Sequence, residues 1–182
     1  INTLNQLAMA LGQGNIISDN TVSEQMVSGD NVIRFTDSKD DLRLWWPVLT
    51  GCATLISGDH VAIRIPALKV LFDTLRAFGG QFTRDLWELI FRGVLFPIFD
   101  DTQHRIESDT TFNDSWLKTT AMAALSALVS LVSDRYDQVG FLISDILLLL
   151  ERCASQSNES LARIGVTCLY QVIVSCGTEF DE

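Results

Sequence analysis

The stretch from Ser115 to Asp134 constrains this chain more than any other. It is rich in Ala, Leu and Val, and its apolar positions run nearly all the way round a helix rather than along one stripe. A helix of that kind has no face to give to water, so it is buried between neighbours on two sides. Asn113 or Asp114 caps its start. The rest of the chain must therefore supply covering elements, and no strand pattern competes for that role. The expected class is all-α.

The covering helices are readable from spacing and punctuation. Ile1, Leu4, Leu7, Ala8 and Leu11 fall at helical intervals, with Gly12 and Gly14 as stop signals. From Gln13 to Asp41 the pattern gives way to Gly, Ser, Asn and Asp. Residues 12–41 are expected to be a polar loop or linker, with Asn31 to Thr36 its one short extended piece. A helix from Leu42 to Ser57 follows, constrained by Pro47 and ended by Gly58. The next runs from about Asp59 to Phe78, where Val61, Ile65, Leu68, Phe72 and Leu75 form a stripe, and Gly79 and Gly80 close it.

Thr83 caps a fourth helix, with Phe82 and Trp87 placed as a hydrophobic staple. Pro97 clashes with the carbonyl four residues back, at Gly93, so a kink or an end is expected near Phe96. Asp100 to Asn113 is a polar connection. Beyond the long apolar helix, Val139 to Cys153 and Leu161 to Cys176 read as two more, separated by the polar run Ala154 to Ser160. About seven helices result, with residues 42–182 as one helical domain.

Two of these helices resemble one another. DHVAIRIPALKVLFDTLRAFGGQF (Asp59 to Phe82) lies over NESLARIGVTCLYQVIVSCGTEF (Asn158 to Phe180) with a slip of one residue. Each has a polar cap, an early arginine (Arg64, Arg163), small and aliphatic positions, a Gly terminator and a Phe. The second helix of a HEAT unit reads this way. A single hairpin cannot bury both faces of its helices, so such hairpins stack and share a continuous core. The expected architecture is a HEAT/armadillo-like helical-repeat solenoid.

Charge and composition exclude several function classes. The formal net charge of −10 repels phosphate backbones and anionic lipid surfaces, which argues against nucleic acid or direct bilayer binding. The most hydrophobic run, Phe141 to Leu150, is about half the length needed to span a bilayer. Cys52, Cys153, Cys168 and Cys176 show no CxxC pairing, and His60 and His104 lie far apart. Three of the four cysteines sit inside apolar helical patterns, as the reduced core residues of a cytoplasmic protein do, and no metal or cofactor is expected. The chain opens on Ile1 rather than Met and stops at Glu182 after an apolar-rich helix pattern, so both ends read as cuts in a longer protein.

Individual residues point to surfaces rather than chemistry. His60 falls in a cap region and His104 in a polar loop, and Asp100 and Asp101 read as a solvated helix terminus rather than an acid–base pair. No GxxxxGK[ST], GxGxxG or HExxH motif occurs, so no catalytic site is expected. Trp45 and Trp46 point about 100° apart on a helix, so one belongs in the core and the other in a repeat interface or an aromatic anchor for a partner. Arg64 and Arg163 are expected to bond neighbouring turns or an acid on an adjacent repeat, with Asp59 or Asp73 available to Arg64.

Three stretches carry a family resemblance. The run from Trp45 to Phe82 that opens WWPVLTGCATLISG, then LWELIFRGVLFPIFDD, then NESLARIGVTCLYQVIVSCGTEF resemble the C-terminal region of the large brefeldin-A-inhibited Arf guanine-nucleotide exchange factors of the trans-Golgi. The match lies in the helical modules downstream of the catalytic exchange domain, at the third of them, over roughly Trp45 to Phe180. Pro66 stands where relatives often carry a second arginine, and the first forty residues match weakly. The resemblance implies a regulatory or scaffold role without nucleotide exchange. It implies partners among activated small GTPases of the Arf, Arl or Rab type, or other domains of the same chain, and peripheral attachment at the trans-Golgi network through those partners. Two alternatives differ: a HEAT scaffold of another transport complex, or an enzyme whose pocket gathers His60 or His104 with Asp or Cys.

Overall fold

The computed structural model describes residues 34–100 and 116–177, and these are helical throughout apart from turns and one isolated bridge. Helix α1 spans Lys39–Ser57 and α2 spans Val61–Phe78. Helix α3 spans Arg84–Ile90, passes through a π turn at Phe91–Leu95 and continues as α-helix over 96–100. Helix α4 begins with a π turn at Leu117–Ala121 and runs on as Met122–Asp134. A short turn α5 (Tyr136–Val139) and a 3₁₀ turn (Gly140–Leu142) lead to α6 (Ile143–Ala154), and α7 spans Glu159–Cys176. The all-α class stands. The helix expected over residues 1–11 and the connection 101–113 lie outside the described residues.

The helices form two layers. Helices α2, α4 and α7 follow one another in one layer, each packed on the next. Helix α1 packs on α2 and α6 on α7, and α1 also meets the π turn of α3. Helices α3 and α6 are joined at the surface by Arg92 to Asp145 (3.0 Å) and Arg152 to Asp100 (2.6 Å). Two helical pairs, α1–α2 and α6–α7, therefore flank α4 in the middle, the layering of a helical repeat. One continuous core runs through them, from Trp45 and Phe72 to Leu128, Ile146 and Val172. The nearly all-apolar helix α4 occupies the middle, with Ala124, Leu125, Leu128, Val129, Leu131 and Val132 all buried.

Several element limits differ from the sequence expectation, each for a local reason. Helix α1 starts at Lys39 rather than Leu42, because Ser38 accepts a bond from the Asp41 amide (3.3 Å) and Asp40 and Asp41 sit favourably in the first turn. Asp41 in turn accepts from the Thr36 amide and hydroxyl, both at 2.8 Å. That tie draws the preceding strand-like segment onto the fold. Phe35 is buried and exchanges backbone bonds with Gln81 and Thr83 beside Phe82. Pro47 sits in the interior of α1, with its ring on the exposed side.

Helix α3 does not end near Phe96. The Phe96 amide reaches back five residues to the Phe91 carbonyl, and this wider turn accommodates Pro97 while the helix continues. Thr83 caps α3 by accepting from the Leu86 amide, and the Phe82 and Trp87 rings pack edge to face at 5.3 Å. The helix expected from Val139 is divided by the 3₁₀ turn at Gly140, over which the Tyr136 ring folds closely. Helix α7 begins two residues before Leu161, because Asn158 caps the Leu161 amide (3.1 Å).

Arg64 is the one buried cation among the described residues, 1% exposed at the start of α2. Its Nε donates to the Gly58 carbonyl (2.7 Å) and a terminal nitrogen donates to the Asp59 carbonyl (3.3 Å). A forked, planar group thus holds the α1–α2 turn, and lysine lacks that fork. We expect Arg64→Lys to cost about 1–3 kcal/mol of unfolding free energy. The midpoint of urea unfolding measures it, and an unchanged midpoint would remove Arg64 from the turn's support.

Candidate interaction surface

Two inter-helix turns, 79–83 and 135–142, lie side by side and frame a groove of about 820 Å³. Its position follows from close packing behind it. The Trp87 Nε1 donates to the Gly79 carbonyl (3.2 Å) and to the Gln138 side-chain oxygen (3.3 Å), pinning both turns to α3. A Cβ at residue 79 would stand 2.4 Å from the Trp87 ring, so only glycine lets the indole reach that carbonyl. Arg135 donates across to the Arg76 carbonyl (2.7 Å), tying the end of α4 to the end of α2. Arg84 places its guanidinium 4.1 Å over the Phe141 ring, a cation–π contact at the groove's edge.

The groove wall combines Arg34, Arg84, Trp87, Tyr136, Asp137 and Phe141. Two arginines beside aromatic rings on an otherwise acidic chain make a local surface that accepts carboxylates together with an apolar side chain. The lining includes neither His60 nor any cysteine.

The residues singled out by sequence are dispersed. His60 stands exposed at the N-cap of α2 and makes no side-chain cap bond. Asp100 pairs with Arg152 across to α6, while Asp101 and His104 lie outside the described residues. Asp73 pairs with Lys69 and Arg76 on its own helix. Arg163 pairs with Glu159 one turn away and is exposed, unlike buried Arg64. Trp45 is fully buried among Phe35, Phe78 and Phe82, with centroids at 5.2–5.4 Å. Trp46 is half-buried with its ring against Gly93, where a Cβ would stand at 2.4 Å. The pair thus divides between the core and the π turn of α3. Among the described residues no three His, Cys, Asp or Glu side chains converge on a point, and no helix is long and apolar enough to cross a membrane. Sequence reasoning passed over Arg84, Arg135, Tyr136 and Phe141, since only the folded turns bring residues 84 and 141 together.

Comparison with known proteins places this architecture. The chain is 33% identical over 171 residues to the ADP-ribosylation factor guanine nucleotide-exchange factor SEC7 of Saccharomyces cerevisiae, a match covering 91% of this chain and 8% of that protein. It is 35% identical over 160 residues to brefeldin A-inhibited guanine nucleotide-exchange protein 3 of Arabidopsis thaliana, covering 81% of this chain and 9% of that protein. The chain belongs with the large Arf exchange factors, as the counterpart of one segment of them. The human brefeldin A-inhibited guanine nucleotide-exchange protein 1 is 27% identical over 165 residues, again 9% of its length. This exchange-factor segment therefore spans less than a tenth of the relatives it matches. Similarity reaches beyond the Trp45–Phe180 stretch that carried the resemblance. No family model and no solved structure matches it.

The cysteines of the exchange-factor segment are all buried and unbridged. Burial pushes the Cys52 and Cys168 thiols above their ordinary range, and burial together with the neighbouring Cys168 pushes Cys153 up to about 11. These thiols are neutral at neutral pH and poor nucleophiles. The Cys153 thiol holds its proton more tightly folded than unfolded, so its stabilising contribution is complete below the ordinary thiol pKa and is lost as pH rises from there through about 11. We expect the thermal midpoint to fall over that alkaline window less steeply in Cys153→Ala than in the parent chain. Parallel curves would show that Cys153 does not carry the effect.

Proposed function

We propose that this segment is a non-catalytic interaction module of a large Arf guanine-nucleotide exchange factor, regulating trans-Golgi vesicle trafficking. It binds small GTPases of the Arf, Arl or Rab type, or other domains of its own chain. The observation that carries this reading is the alignment itself. Most of this chain matches under a tenth of proteins named as Arf exchange factors, and that tenth folds as stacked helical pairs presenting a broad surface. Residues 42–182 act as one HEAT-like repeat domain, with the preceding segment tied to it through Phe35 and Asp41. The groove bearing Arg34 and Arg84 suits an acidic protein loop with an apolar residue. The module is cytoplasmic, reaches the membrane only through its partners, and uses neither cofactor nor nucleic acid.

The test is capture of purified small GTPases, each locked in its GTP and GDP forms, by the immobilised segment. Nucleotide-dependent capture that weakens in an Arg84→Glu variant supports GTPase recognition at the groove. Capture of none, with capture of the exchange domain of a relative, supports the intramolecular branch. Accelerated nucleotide release by the segment alone would overturn the non-catalytic assignment. Capture of neither class would favour a scaffold of another transport complex.

A further inference from the structure

Helix α7 has two apolar sides but only one of them is covered. Leu161, Gly165, Cys168, Val172 and Cys176 face inward and are buried. Val166, Tyr170, Ile173 and Val174 form a second stripe, at 57%, 68%, 55% and 62% exposure. Helix α4, in the middle of the same layer, is buried on both sides.

The internal repeat shows what such a stripe is for. Helices α2 and α7 are both 18 residues long, both close on a glycine (Gly79, Gly177), and both are the second member of their pair. Counting from the first residue of each, Leu68, Phe72, Leu75 and Arg76 of α2 stand where Val166, Tyr170, Ile173 and Val174 stand in α7. In α2 the first three are 4%, 2% and 0% exposed. Arg76 there reaches the following helix of its layer, donating to the Ala127 carbonyl (3.4 Å) and lying 3.4 Å from the Asp134 carboxylate. The stripe left open on α7 is thus the counterpart of the side on which α2 receives α4.

We propose that Val166, Tyr170, Ile173 and Val174 seat a further helical pair of the longer polypeptide, stacked on α7 as α4 is stacked on α2. This rests on reading the chain as one segment of a longer exchange factor. The relatives supply ample chain, since this segment spans 8% and 9% of them. A second copy is the poorer occupant. The stripe is about 12 Å long at the helical rise per residue, whereas a specific interface between separate proteins buries about 800 Å² per partner. A tethered helix pays far less for association. The chemistry of the occupant is also constrained: Val174 replaces Arg76, so the incoming helix presents an apolar stripe without the acid that α4 offers at Asp134.

The experiment places single cysteines at Tyr170 and, independently, Val166, and follows maleimide labelling in this chain and in the full-length exchange factor. Both positions are exposed, so the substitutions disturb little, and the four native thiols are buried and slow. We expect labelling at both positions to be at least about tenfold slower in the full-length protein. Equal rates in the two would overturn the proposal. Protection in this chain alone that grows with its concentration would overturn it in favour of a second copy. Protection of the full-length protein only when a GTP-loaded small GTPase is added would overturn it too, while supporting GTPase recognition. Failed GTPase capture with slow labelling would do the reverse.

Discussion

Replacing Gly165 with alanine is expected to destabilise the chain by about 3 kcal/mol, the upper part of the range for overpacking a close contact. Helix propensity alone points the other way, since alanine in a helix interior is favoured over glycine by about 1 kcal/mol. The contact decides the sign. A Cβ at residue 165 would lie 2.5 Å from the Ala154 amide nitrogen, 2.8 Å from its Cα and 2.8 Å from the Cys153 carbonyl carbon. These are backbone atoms at the end of α6, and no rotamer change moves them away. Helices α6 and α7 must separate, opening the packing of Cys153 and Cys168. Urea unfolding reads the loss, and hydrogen exchange should show it concentrated in α6 and α7. A variant more stable than the parent would show that the two helices do not approach so closely.

The second large effect is at Trp87, which is fully buried. Its ring packs on Phe82 (5.3 Å) and Phe91 (6.0 Å), and its indole nitrogen holds two turns at once. Trp87→Ala is expected to cost about 4 kcal/mol, as for other large aromatic deletions. Domains of this size are stable by about 5–15 kcal/mol, so the variant would retain little of its margin. Trp87→Phe separates the two contributions. It keeps most of the ring but removes the indole's bonds to the Gly79 carbonyl and the Gln138 side chain, and is expected to cost about 1–3 kcal/mol. If both variants unfold within experimental error of the parent, Trp87 does not anchor the turns.

Much of the fold was legible in the sequence because helices announce themselves through spacing and caps. Thr83, Gly58 and Gly79 mark ends that the structure keeps, and the two-sided apolar run after Ser115 correctly implies a middle layer. Features that depend on distant contacts were not legible. Nothing local distinguishes Arg64 from Arg163, yet one is buried against turn carbonyls and the other pairs with Glu159 in water. Gly165 reads as a weak spot in a helix until Ala154 is placed against it. The groove was invisible for the same reason, because Arg34, Arg84 and Phe141 meet only when two turns are stacked. The open stripe on α7 is the intermediate case. Its residues are plainly apolar in sequence, but only α2, with its counterpart positions covered, gives the exposure a meaning.

The π turns have a consequence best put as a matter of phase. Along α3 the buried residues come in couples, Leu86 and Trp87, Ile90 and Phe91, Val94 and Leu95, Ile98 and Phe99, repeating every four residues. A regular α-helix advances about 400° in four residues, so such a rhythm would drift by about 40° at each step and walk off the core within a few turns. The wider turn at Phe91–Leu95 absorbs part of that advance and brings the later couples back beneath the earlier ones. Helix α4 keeps the same beat from Trp116 through Thr120 and Ala121, Ala124 and Leu125, to Leu128 and Val129, and it too carries a π turn, at Leu117–Ala121. The two central helices of the stack keep this four-residue period around their π turns, and in α4 it gives way after Val129, where Leu131 and Val132 are the next buried residues.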